Sequence, residues 1–201
     1  MRFLAIGFSV CILSICAAVV SLAGGLEDGK EAYRRGDYRL AMEAWRPLAE
    51  QGDAEAIALI GLLYHLGEGV PQDYEIAASL LRSAAEKGDA FAAYMVGDAF
   101  NRGEGRQFDP AAAAKWFKVS AEKGNVLAQY ELGRLLAIGQ GVPQDFVRAH
   151  MWMNLAAAKM DLVLPKFRKR AAQARDAIAA QMTPEQVVEA QKLAREWEPV
   201  R

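Results

Sequence analysis

Cysteine is nearly missing from this 201-residue chain: the two present, Cys11 and Cys16, both fall within the first 23 residues. Nothing beyond that point can form a disulfide, act as a thiol nucleophile or offer a thiolate to a metal. Histidine is as scarce, with His65 and His150 alone. Neither stands in an H-E-x-x-H arrangement, and neither has a nearby partner in sequence that would complete a zinc site. An excess of basic charge is lacking too: 24 Lys and Arg face 25 Asp and Glu, a formal net charge of −1. That balance excludes the basic surface of an independent nucleic-acid binder. What the chain does have is alanine, the strongest helix former, gathered in segments that read as helix; a β-rich fold is excluded. At 53% hydrophobic and 24% charged residues, disorder is excluded as well.

One long apolar run opens the chain. Residues 3–23, FLAIGFSVCILSICAAVVSLA, carry no charge and follow Arg2. A basic start, an apolar stretch and the small-x-small triplet Ser21-Leu22-Ala23 make a secretory signal peptide over 1–23, cleaved near Ala23. The run is also long enough to span a bilayer, so an uncleaved anchor facing the periplasm is the alternative. The first case predicts a periplasmic or secreted protein. In the second, the retained segment is the chain's contact with the membrane.

The glycines that follow reveal an array. Between residues 50 and 160 there are twelve, all in four columns stepped by 36: Gly52/Gly88/Gly124, Gly61/Gly97/Gly133, Gly67/Gly103/Gly139 and Gly69/Gly105/Gly141. Asp37, Asp73, Asp109 and Asp145 keep the same step. A period of this size is that of a solenoid of helix pairs. The units are 52–87, 88–123 and 124–159. A shortened pair over 24–51 caps the start, with helices at Glu27–Arg35 and Tyr38–Glu50 and with Pro47 expected to bend the second or free one carbonyl. After a connector at Met160–Pro165, a C-terminal helical pair within 160–201 is expected at Lys166–Gln181 and Pro184–Trp197. Thr183, Pro184 and Gln186 there spell a capping box.

Each column has a physical reading. In the first unit, Ala54–Leu66 is a helix with Ala56, Ile60 and Tyr64 on one face. A glycine at its middle, Gly61, costs about 1 kcal/mol relative to alanine, so its recurrence implies that a side chain would strike a neighbouring helix. Gly67 and Gly69 suit a tight turn with positive φ. Asp73 is placed to cap the second helix, which runs to about Lys87, and Asp109 is followed by Pro110, a residue favoured at the first helical position. The large positions Leu80/Trp116/Trp152 and Leu81/Phe117/Met153 are expected to wedge between successive pairs. The four aspartates make no acid–base pair, because a whole helix pair separates them and paired carboxylates work at about 5–9.5 Å. Gly67-x-Gly69 lacks the strand and the Lys-Ser/Thr of a phosphate loop. No catalytic, cofactor-binding or metal-binding residue is assigned.

The pattern A-x-x-x-L-G-x-x-[YF], then G-x-G-V-P-Q-D-[YF]-x-x-A, then A-A-E-K-G resembles the Sel-1-like repeat family, a relative of the tetratricopeptide repeats. Ala128, Leu132-Gly133, Gly139 to Phe146 and Ala149 state it in the third unit, and Gly67 to Tyr74 and Ala77 in the first. The second departs at Arg106-Gln107-Phe108, where Val-Pro-Gln is expected. The tail around Gln181–Gln186 is similar to the C-terminal end of exported bacterial members. The resemblance implies an all-α, right-handed α-solenoid (an alpha-alpha superhelix) and a non-enzymatic protein–protein interaction scaffold or regulator in the bacterial cell envelope. Its partner would be a protein in the periplasm or on the periplasmic face of the inner membrane. The alternatives are a structural, self-associating envelope module and a hydrolase with an unrecognised site.

The resemblance also implies that first helices line the inner curve. On faces not used by Ala56, Ile60 and Tyr64, the first unit offers Leu59 and Leu62. The second offers Tyr94, Met95 and Asp98; the third, Tyr130, Glu131 and Arg134. Aromatic, Met and Arg side chains are favoured at binding hot spots. The alternative is that Tyr94 and Tyr130 pack against second helices, leaving the loops at Gly67–Val70, Gly103–Arg106 and Gly139–Val142 as binding elements. In the tail, Lys166, Arg168, Lys169 and Arg170 form a basic run suited to an acidic surface or phospholipid headgroups, or simply a solvated helix face.

Overall fold

A computed structural model of the chain describes residues 25–103, 107–159 and 165–200. The expected leader over 1–23 and most of the 160–165 connector lie outside the described residues. All regular structure among those described is helical, as ten segments in chain order: α1 (25–34), α2 (Tyr38–Glu50), α3 (Ala54–Leu66), α4 (Tyr74–Glu86), α5 (Ala90–Arg102), α6 (Pro110–Glu122), α7 (Val126–Ile138), α8 (Phe146–Lys159), α9 (Pro165–Ala179) and α10 (Pro184–Glu196). Paired helices of this kind build a solenoid-like array. Two compact units divide the chain, Met1–Ala84 and Ala85–Arg201.

The helices start and stop where side-chain chemistry dictates. Asp73 Oδ1 accepts from Ile76 N–H at 2.9 Å, Asp109 Oδ1 from Ala112 N–H at 3.0 Å and Asp145 Oδ1 from Arg148 N–H at 2.9 Å. These acceptors satisfy donors that the first turn of a helix leaves free. A second capping column serves the first helices and was not read from the sequence. Asp53 accepts from Ala56 N–H, Asp89 from Ala92 N–H and Asn125 from Ala128 N–H. At the other end, Gly67, Gly103 and Gly139 close α3, α5 and α7 in the left-handed conformation, with φ of 72°, 70° and 69°. Gln72 and Gln144 then turn back, each donating from Nε2 to a carbonyl of the helix just ended, His65 and Ala137. This is the physical role of the Gln in V-P-Q-D, and the second repeat (88–123), with exposed Phe108 in that place, has no such bond to offer.

In the first unit the core is Trp45, Met42 and Leu48 of α2 against Ile60 and Leu63 of α3. Trp45 donates from Nε1 to Leu26 O at 3.2 Å, tying α1 to α2. Helix α2 runs on through Pro47 to Glu50. Gly61 faces α4, where a methyl group would stand 3.0 Å from Leu81 Cγ.

In the second unit, Phe117, Leu135 and Met153 are the largest fully buried apolar groups, and α8 is the hub on which α7, α9 and α10 pack. Both middle glycines lie close against the second helix of their pair. A methyl at Gly97 would lie 2.7 Å from Phe117 Cδ1, and one at Gly133 would lie 3.2 Å from Ala149 O. The expectation that two large columns wedge between successive pairs needs correction. Leu81, Phe117 and Met153 lie beneath the glycine of their own pair's first helix, where the missing side chain makes room. Of the other column only Trp152 is buried, because the last helical segments cover it while Leu80 and Trp116 stay half-exposed. Thr183 and Gln186 form the capping box in full: Thr183 Oγ1 accepts from Gln186 N–H, and Gln186 Oε1 from Thr183 N–H at 2.9 Å.

Candidate protein-binding faces

Most of the polar groups singled out by the sequence have structural partners. The aspartate column caps helices, and among the described residues no group of three or more His, Cys, Asp or Glu is placed to hold a metal. His65 packs edge-on against the Tyr74 ring, centroids 5.5 Å apart. His150 is buried, its Nδ1 without a hydrogen-bond partner. Burial, with the nearby Arg175 guanidinium, holds its imidazole below the usual histidine range, and Asp176 opposes them.

All eight residues expected to form a binding face are half-buried. In the first unit, Leu59 leans on the core of α2 and α3, with Leu62 one turn on. In the second unit Tyr94 packs on Phe117 of the second helix α6, ring centroids 5.9 Å apart, and burial raises its hydroxyl to about 12. Tyr130 meets a different ring, Phe167 of α9, edge-on at 6.4 Å. Tyr94 thus rests on a second helix of the repeats, whereas Tyr130 owes its ring partner to the C-terminal pair. Asp98 pairs with Arg102, and Arg134 bonds both Glu131 Oε2 at 2.9 Å and Asn101 Oδ1 at 3.2 Å. The Arg134–Asn101 bond joins α7 to α5. Met95 lies on α5 between Tyr94 and Asp98 in sequence and is half-buried as they are.

Sequence reading missed a second feature of this unit. Between α6 and α8 lies an open groove of about 550 Å³. Leu132, Leu136, Met151, Trp152 and Leu193 form its floor, and the third glycine loop closes one side through Val142 and Pro143. Beside it the C-terminal residues double back. Trp197 sets its ring edge-on to Trp152 at 5.9 Å, Lys159 Nζ stands 4.6 Å over that ring, and Val200 N–H donates to Glu122 O at 2.8 Å. The signal available in sequence was Trp152, a Trp where the first unit has Leu80, together with a late Trp197.

The Sel1 repeat profile matches three successive stretches, 54–89, 90–125 and 126–159. The chain belongs to the Sel1 repeat family. Sel1 repeats have the architecture of non-enzymatic protein–protein interaction modules. A Sel1 repeat protein from Oxalobacter formigenes is similar over 84% of this chain and 74% of its own, at 27% identity and TM-score 0.62. The protective antigen c5321 of uropathogenic Escherichia coli is similar over 88% of this chain at 24% identity and TM-score 0.56, a likeness of fold. This Sel1 repeat chain spans 45% of that antigen's length. No curated protein matched. Among the described residues of this Sel1 repeat protein, no helix is long and apolar enough to cross a membrane.

Proposed function

We propose that this Sel1 repeat protein is a protein-binding scaffold or regulator of the bacterial cell envelope. Export through the 1–23 leader would place it in the periplasm, or on the periplasmic face of the inner membrane if the leader is kept. The partner would be a protein reached from the first-helix faces: Leu59 and Leu62 in the first unit; Tyr94, Met95, Asp98, Tyr130, Glu131 and Arg134 in the second. One observation carries this reading. Arg134, with a side-chain exposure of 33%, is held by Glu131 and Asn101, and Asp98 and Glu131 both lie close enough to Tyr94 to act on its hydroxyl. Such a surface is already ordered, so a partner would meet side chains whose rotamer entropy has been spent on folding.

Two measurements test the reading. Intact mass from a periplasmic fraction should show a chain beginning near Gly24 or Gly25; full-length chain found only in membranes would replace cleavage by the anchor. A photocrosslinking amino acid at Met95 should then trap a discrete protein in growing cells, and the same group at exposed Arg39 should not. Self-crosslinks alone from Met95 would turn the reading into a self-associating module.

A further inference from the structure

The α6–α8 groove lies apart from the first-helix face, and its walls differ from its floor. Lys115 and Lys118 of α6 stand on one rim and Arg148 of α8 on the other, with Glu122 and Asp145 as the acidic groups. Those acids give little relief. Lys118 Nζ is 3.7 Å from Glu122 and Arg148 Nε is 3.5 Å from Asp145, and both cations are mostly exposed. Exposed pairs at such separations are weak and readily exchanged. Lys115 has no ion pair at all among the described residues. An apolar floor between basic rims, on a chain whose formal charge is −1, fits a ligand that is apolar and acidic at once.

The chain's own end shows which form that ligand takes. The chain leaves α10 at Trp197 in extended geometry, φ −73° and ψ 129°, and docks by that ring against Trp152 and by the Val200 N–H to Glu122 O, where α6 leaves a carbonyl free. Trp152 and Glu122 both line the groove. A non-helical stretch of chain therefore already rests on two residues of the groove, using its ring and its backbone together.

From this we infer that the groove between α6 and α8 binds an extended segment of a partner protein in which apolar side chains alternate with carboxylates. The apolar groups would fill the floor over Leu132, Leu136 and Met151, and the carboxylates would meet Lys115, Lys118 and Arg148. This deepens the scaffold reading by giving one partner segment a place and a chemistry.

The test uses the full chain without its leader and two short fluorescein-labelled peptides of leucine and tryptophan, one interspersed with glutamate and the other with lysine. Anisotropy should show saturable binding of the glutamate peptide, weakening as salt is raised, and little of the lysine peptide. Lys115→Glu with Lys118→Glu should lower affinity for the glutamate peptide by about tenfold or more and turn preference toward the lysine peptide. A reversed preference cannot come from misfolding. Amide exchange should slow on binding within 114–122 and 142–152. No binding, equal binding of both peptides, an unchanged preference in the variant, or protection elsewhere would overturn the proposal. So would displacement of the peptide by dodecanoate bound under the same charge dependence, which would make the groove an amphiphile site. Crosslinking from Met95 is independent of these outcomes. A partner still trapped there when the peptide test fails would leave the scaffold reading standing and remove only the groove.

Discussion

Gly97 faces the Phe117 ring so closely that an added methyl group would stand 2.7 Å from Cδ1 and 2.9 Å from Cε1. The ring is fully buried and packs against Tyr94, so it has little room to withdraw. Gly97→Ala gains up to about 1 kcal/mol of helix propensity and meets about 1–3 kcal/mol of overpacking. The expected result is a net loss of about 1 kcal/mol, read from the urea midpoint of the second unit. Gly61→Ala, with its nearest atom 3.0 Å away on Leu81, should lose less. A stabilised Gly97→Ala protein would contradict the contact explanation of the column.

Helix capping should be separable from the core. Asp109 Oδ1 accepts from both Ala111 and Ala112 N–H at 3.0 Å, and Asp109→Ala removes both bonds from a largely exposed site. A loss of about 1 kcal/mol is expected, with Asp109→Asn close to the parent protein. If Asn is as damaging as Ala, capping is not what the aspartate does.

His150 gives stability a pH dependence whose sign follows from its burial. The folded imidazole binds its proton less readily than the ordinary value of 6.5, owing to burial and to Arg175. The unfolded chain therefore takes up a proton that the folded chain resists. The folded state has this advantage in full above pH 6.5 and loses it as the pH falls below that value. His150→Gln should flatten the thermal midpoint between about pH 5 and 6.5 relative to the parent. Equal slopes in the two proteins would show that the imidazole is solvated.

How much of this was legible beforehand depends on whether a residue's partner lies in the same unit. The turn glycines, the Asp73 and Asp109 caps and the Thr183 box act within a few residues, so spacing alone exposed them. Gly97 was readable because its partner Phe117 belongs to the same repeated pair. The Asp53, Asp89 and Asn125 caps escaped because the third member is Asn and the column breaks by letter though not by chemistry. Tyr130 with Phe167 and Trp152 with Trp197 were not readable, since each joins a repeat to the aperiodic tail, where the 36-residue step gives no register. The groove depends on those same unrepeated contacts. It could be seen only once α10 had been placed.

The C-terminal return should be measurable by itself. Trp197→Ala removes the ring against Trp152 and the contact with Lys159, an aromatic pair contributing about 0.5–1.5 kcal/mol. The Val200 amide, which donates to Glu122 O at 2.8 Å, should exchange slowly in the parent and rapidly in the variant. Rapid exchange in both would mean that the tail is not held by these contacts.

The central claim is that a partner protein is bound on the first-helix surface joined by Arg134 and Asn101. Crosslinking from Met95 in living cells, compared between the parent and Arg134→Glu, tests it most directly. The charge reversal removes the bonds to Glu131 and Asn101 at a partly exposed site, so helix content and unfolding midpoint should change little while the crosslinked species falls by about tenfold. An undiminished crosslink with the fold intact would contradict the claim.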